Sequence, residues 1–305
     1  MSSPYGTERV VIRIEPTRQH RQTVEVEAAT RQGQGPCNED SWIVCPENRL
    51  FAVIDGVSGM DAYTDSEGRT SGALAALTLT SGIQSEVRAS ASIEPLARLQ
   101  RGTLSANEQL RQFMIAHNVP FQQPEHRWGA AHVAVIFDEH VAHWVQTGDC
   151  MLYARYTSGA IRAVTHDAVE PFDAAALRVW QQDEAAWHRH ERPEAVSDML
   201  LANRRQANRP HGYSVMNGDP QLHQMLESGS LPLSGLSHLI MISDGLYEWR
   251  EHDTPPSVSW LEQLIEDGVQ RYAERLQQYE DNDAYCNQVP RFKKSDDKTG
   301  IIISF

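Results

Sequence analysis

The chain has 305 residues, and its 27 lysines and arginines stand against 41 aspartates and glutamates, a formal charge of −14 at pH 7. With 40% hydrophobic and 22% charged residues it can bury a sizeable core, which excludes wholesale disorder. The acidity argues against nucleic acid or an anionic membrane as main partner, since both call for a basic surface.

No apolar run reaches the roughly 18–20 residues that span a bilayer. The opening MSSPYGTERVVIRIEP lacks the charged-then-apolar order of a signal peptide, so a cytoplasmic protein is expected. Residues 1–22 read as an N-terminal extension or edge strand. Residues 23–28 alternate with period two, as a half-buried strand does. Ser41–Cys45 and 50–54 are β-rich runs joined by turn residues 46–49. The pattern turns helical over 66–87 and 95–118, with Leu74, Leu77 and Leu79 in the first and Leu96, Leu99, Leu104, Leu110 and Met114 in the second. Strands return at 130–137, Val141–Thr147, Met151–Tyr156 and 161–164, the first two joined by a tight Asp138-Glu139 turn. Residues 168–231 break this rhythm: charged, helical at first, loop-like near Arg209-Pro210-His211-Gly212, with Trp180 and Trp187 read as exposed. A strand at 239–242, a helix over 258–278 and a strand at 300–305 complete the chain. Strand runs separated by helix pairs predict a layered α+β domain.

Cysteine and histidine offer little. Cys37, Cys45, Cys150 and Cys286 lack the C-x-x-C spacing of zinc or redox motifs and read as free thiols. The run Trp187-His188-Arg189-His190-Glu191-Arg192 reads as a solvated helix face rather than a metal site. No G-x-S-x-G elbow, P-loop or G-x-G-x-x-G is present.

The carboxylates are more informative, because they recur at strand ends. Asn38-Glu39-Asp40 precedes one strand and Asp55-Gly56 follows the next. Asp149 follows Val141–Thr147, Asp244 follows 239–242, and Asp296-Asp297 precede the last strand. In an antiparallel sheet these ends share one edge. Packed together they would repel, and a divalent cation would relieve the conflict. Oxygen-only ligands favour Mg²⁺ or Mn²⁺. Gly56 allows a close backbone approach, so its carbonyl could join the shell.

Taken in order, Asn38-Glu39-Asp40, Phe51-Ala52-Val53-Ile54-Asp55-Gly56-Val57, Trp128-Gly129-Ala130-Ala131, Gln146-Thr147-Gly148-Asp149, Val164-Thr165-His166-Asp167, Ile242-Ser243-Asp244-Gly245-Leu246 and Asp296-Asp297-Lys298-Thr299 resemble the metal-dependent (type 2C) serine/threonine protein phosphatases of bacterial type. The resemblance covers 23–305 and implies a four-layer αββα sandwich of two antiparallel sheets flanked by helices. It implies two Mg²⁺ or Mn²⁺ ions bridged by Asp55. Glu39, Asp40 and the Gly56 carbonyl would attend one ion, and Asp244 and Asp296 the other. Asp149 and Glu248 would form a third site, and Asp55, Asp244 and Asp296 would be catalytic. The implied reaction is attack of metal-activated water on a phosphoserine or phosphothreonine protein, with a partner kinase in the same pathway. Residues 168–231 would take the place of the flap that shapes substrate access.

The pattern also departs from the family's. Gly35 stands where many members carry a phosphate-binding Arg, leaving Arg31 as the candidate. Val57 replaces a candidate His acid, so water or His166 would protonate the leaving group. Two other readings stay open: a non-catalytic phosphoprotein-binding or regulatory member, and a phosphatase of small phosphorylated molecules.

Overall fold

The computed structural model describes residues 5–14, 22–249 and 257–305, with side chains from Val24 onward. Its strands, in chain order, are β1 (Tyr5–Ile14), β2 (Gln22–Arg31), β3 (Ser41–Cys45), β4 (Leu50–Val57), β5 (Gly129–Phe137), β6 (Val141–Thr147), β7 (Met151–Tyr156), β8 (Ile161–Ala163), β9 (Glu227–Pro232), β10 (Leu236–Ile242) and β11 (Lys298–Ser304). The helices are α1 (Ser71–Ala89), α2 (Pro95–Ala116), α3 (Glu170–Gln181), α4 (Glu184–His188), α5 (Glu194–Arg205), α6 (Leu222–Met225), α7 (Trp260–Asp267) and α8 (Val269–Asn282). One antiparallel sheet runs β1-β2-β11-β10-β7-β8 and the other β3-β4-β5-β6-β9.

Period-two alternation builds the layers. Along β4, Phe51 and Val53 face the other sheet, meeting Val24, Val26, Leu152, Met241 and Ile303. Leu50, Ala52 and Ile54 face α1 and α2, against Leu79, Ile83, Leu99 and Leu110. The opposite sheet turns Tyr153, Ile240 and Ile302 outward onto Leu261, Leu264 and Tyr272 of α7 and α8. The result is the αββα sandwich. No helix among the described residues is long and apolar enough to cross a membrane.

Three local features differ from the sequence expectation. The helix expected over 258–278 is two, split at Gly268, whose φ of +75° an L side chain rarely adopts. The Glu27 carboxylate of β2 caps the second by accepting from Val269 N–H at 2.9 Å. Residues 227–232 form a strand, β9, although Glu-Ser-Gly-Ser-Leu-Pro has little β propensity; it pairs with β6 and lies under the Trp144 ring at Gly229. Trp180 and Trp187 are buried rather than exposed. They meet edge to face at 5.4 Å and form, with Val196, a satellite core that holds α3–α5 together.

Beneath the start of β11, Lys298 is 0% exposed. Its Nζ contacts Glu280 Oε2 at 2.8 Å and donates to Ser295 Oγ at 3.0 Å and to the Asp296 carbonyl at 2.8 Å. Removing one partner of such a buried pair strands the other. Lys298→Ala should therefore lower unfolding free energy by about 3 kcal/mol in urea titrations; a loss within experimental error would mean the pair holds nothing in place.

Candidate metal and phosphoryl centre

Sheet register brings the acidic strand ends together. Asp55 extends the inward series of Phe51 and Val53 past the end of the inter-sheet core, at the register position of Ala131. Ser41 pairs with Ile54, so Asp40 lies beside the same end. Ile242 pairs with both Met151 and Gly300, which sets Asp149, Asp244 and Asp296 around that edge. Glu39, Asp55, Gly56, Asp149, Asp244, Glu248 and Asp296 line one cavity of about 770 Å³. Asp40 stands just behind it.

The surrounding chain fixes these groups. Glu39 Oε1 accepts from Ser58 Oγ at 2.6 Å and from Thr70 Oγ1, the N-cap of α1. Asp40 Oδ2 accepts from Ser243 Oγ at 2.8 Å, and its N–H donates to Asn38 Oδ1 at 2.9 Å. A Cβ at Gly56 would fall 2.5 Å from the carbonyl oxygens of both Glu39 and Gly72, so only glycine fits there. Asp297 faces away from the cavity as a clasp, accepting from Gly33 N–H at 2.7 Å and Glu39 N–H at 2.6 Å. This ties the 33–39 loop to β11.

Without a counter-charge the cluster is in conflict. Burial, then the charges of Asp40, Asp244, Asp149 and Asp296, push the Asp55 carboxyl well above its ordinary range. Burial leads for Asp40 as well, followed by Asp297, and for Asp149, followed by Asp244. Asp244 is pushed up to about 6 by burial and by Asp296. Asp40 Oδ1 and Asp244 Oδ1 are buried with no hydrogen-bond partner among the described residues. Orphaned carboxylate oxygens in an all-oxygen donor set fit a hard divalent ion. The Cys150 thiol approaches Asp55 and Asp149, but burial and the neighbouring carboxylates keep it protonated, which suits a bystander rather than a ligand.

Several cavity residues carried no sequence signal. Asp173 of α3 is pushed up to about 7 by burial and the charges of Asp244 and Asp167. Lys293 Nζ reaches Asp296 Oδ1 at 2.5 Å. Arg204 of α5 lies beside the Glu39 end and also lines an adjoining cavity of about 360 Å³. Asp173 and Arg204 come from the 168–231 segment, where no motif marks a single residue; only the packing of α3 and α5 brings them in. Arg31 is not among the residues lining either cavity, and its charge acts on Asp281. His166 is 69% exposed, pairs with Glu227 at 3.5 Å and lines neither cavity.

These shifts set a pH dependence. Asp244 titrates near 6 in the folded chain against an ordinary 3.8. Between those values the folded state holds protons that the unfolded state has released, so stability falls as pH rises. The buried His132, held down to about 3, acts in the opposite sense over the same window, so the test is a difference between variants. In chelator the melting temperature of the wild type should fall relative to Asp244→Asn by about 3 °C between pH 5 and 7. A wild-type melting temperature that holds level with or gains on the variant across the window would contradict the repulsion.

No family model matches the chain, and no curated protein sequence matches it. Solved structures do. The Mycobacterium tuberculosis serine/threonine phosphatase PstP/Ppp is 18% identical, over 92% of this chain and 98% of its own, with a TM-score of 0.55. The PstP catalytic domain in complex with 2 manganese ions is 16% identical, over 92% and 97%, with a TM-score of 0.55. PppA, a key regulatory component of T6SS in Pseudomonas aeruginosa, is 18% identical, over 99% of both chains, with a TM-score of 0.51. The chain has the fold of the bacterial serine/threonine phosphatases.

Proposed function

We propose that the chain is a Mg²⁺- or Mn²⁺-dependent phosphatase of phosphoserine and phosphothreonine proteins. The observation that carries this reading is the convergence of Glu39, Asp55, Gly56, Asp149, Asp244 and Asp296 on one cavity, with orphaned oxygens on Asp40 and Asp244. The structural likeness to phosphatases, one of them holding manganese, supports it. Asp55, Asp244, Asp296, Glu39 and the Gly56 carbonyl would hold two ions, with Asp40 behind them and Asp149 and Glu248 at a third. Bound there, such ions would lower the pKa of a water and neutralise phosphoryl charge.

The chain's own groups prepare the site. Ser58 and Thr70 aim the Glu39 carboxylate, and Ser243 aims that of Asp40. Asp297 holds the loop that carries Glu39. α3 and α5 contribute Asp173, Leu177, Gln181 and Arg204 to the cavity wall, which fits a role for 168–231 in access. Among the described residues no histidine lines the cavity, and Val57, after Asp55-Gly56, has no proton to give. The proposed proton source for the departing Ser or Thr oxygen is solvent water. The reading further proposes a partner kinase that supplies the substrate, and a cytoplasmic setting.

The test is hydrolysis of a phosphothreonine peptide and an aryl phosphate with Mn²⁺, with Mg²⁺ and with chelator. Turnover should need the metal, and Asp55→Ala and Asp244→Ala should each cut it by more than about a hundredfold. No metal-dependent turnover on either substrate would remove the enzyme reading. Activity untouched by Asp244→Ala would remove the site.

A further inference from the structure

A phosphatase must grip the phosphate as well as activate water, and Gly35 provides no side chain to do so. We infer that Arg204, projecting from the last turn of α5, is the anion clamp for the substrate phosphate; the inference rests on the phosphatase reading above. Arg204 is half-buried and lines the acidic cavity together with Glu39, Asp55, Gly56 and Ser58. It also lines the adjoining cavity, so it stands where the two meet. Among the described residues its guanidinium makes one hydrogen bond, from Nη1 to the Glu125 carbonyl at 3.4 Å, and no ion pair, with the Glu39 charge acting on it from nearby. That leaves Nε–H and the Nη2 donors for a ligand. The neighbouring Arg205 binds Glu125 Oε1 at 2.6 and 3.1 Å, which pins the end of α5 and sets where Arg204 points.

Among the described residues the other cations around the cavity are committed or exposed. Arg291 donates to Asp283 Oδ2 at 2.7 Å and to the carbonyls of Val289, Asp283 and Lys294. The Lys293 side chain, paired with Asp296, is 61% exposed. Arg178 lies on the exposed face of α3. Burial disfavours the Arg204 charge and the Glu39 carboxylate offsets only part of that, so an anion hydrogen-bonded to its open donors would complete it. Its planar fork matches two phosphoryl oxygens in a way a lysine ammonium does not. A residue from the inserted segment would thus perform the task that the N-terminal loop leaves undone.

The experiment measures inorganic phosphate binding to the full chain in Mg²⁺ by calorimetry, alongside KM and kcat on a phosphothreonine peptide. The proteins are the wild type, Arg204→Ala, Arg204→Lys and Arg31→Ala. Phosphate affinity should fall about tenfold or more in Arg204→Ala, with a matching rise in KM, and Arg204→Lys should recover only part of it. Arg204→Lys keeps the stem and charge, so it carries the test if the alanine variant fails to fold. Phosphate affinity unchanged in both variants, lost in Arg31→Ala instead, or absent in the wild type would overturn the clamp. Peptide turnover with phosphate affinity indifferent to Arg204 would sink this inference alone. Arg204-dependent phosphate binding without any turnover would keep the clamp and sink the catalytic reading.

Discussion

Repulsion among carboxylates at one end of the sandwich is the constraint on which the rest of the site depends. Asp55 lies within the field of Asp40, Asp149, Asp244 and Asp296, and burial adds to the cost of its charge. Such an arrangement persists only because packing elsewhere holds the strand ends in register. Two sheets with a shared apolar interior, backed by helices on both outer faces, supply that packing. Hydroxyls and backbone N–H groups then fix the orientation of each carboxylate. The fold thus stores an electrostatic conflict whose natural resolution is a pair of divalent cations.

Much of this was legible in the sequence because it is written in local order. Period-two runs end in acidic residues at 38–40, 55, 149, 244 and 296, and an antiparallel sheet needs nothing more to bring those ends to one edge. What was not legible depends on contacts distant in sequence. β9 is a strand because β6 offers it an edge and Trp144 covers Gly229, not because its own residues favour extension. The break at Gly268 follows from the Glu27 cap, which is 242 residues away in the chain. The tryptophans of α3 and α4 read as exposed, yet they bury against each other, and Trp180 stacks on Phe292. Asp173 and Arg204 enter the site only through the way α3 and α5 pack, so no spacing rule could have singled them out.

The departures from the phosphatase pattern acquire a physical meaning in three dimensions. The Gly-rich loop at 33–35 lacks an arginine, but it is strapped to the start of β11 through Gly33 N–H and Asp297, which also fixes Glu39. On the clamp proposal, loss of a side chain there is matched by a guanidinium delivered from α5. Asp297, first grouped with the site carboxylates by its position beside Asp296, serves the backbone instead. The same end of the chain gains rigidity from Lys298, buried under the carbonyl of Asp296. Recognition of the phosphate and retention of the metal therefore fall to different layers of the molecule. The strand ends carry the carboxylates proposed to hold metal, and α3 and α5 line the same cavity.

The account's central claim, that the carboxylate edge is a two-metal centre, is tested most directly by anomalous diffraction from crystals grown with Mn²⁺. The account predicts two manganese peaks in the cavity, both in contact with Asp55, one toward Glu39 and Gly56 and the other toward Asp244 and Asp296. A map with no peak among these residues, or with manganese bound only elsewhere on the acidic surface, would contradict it.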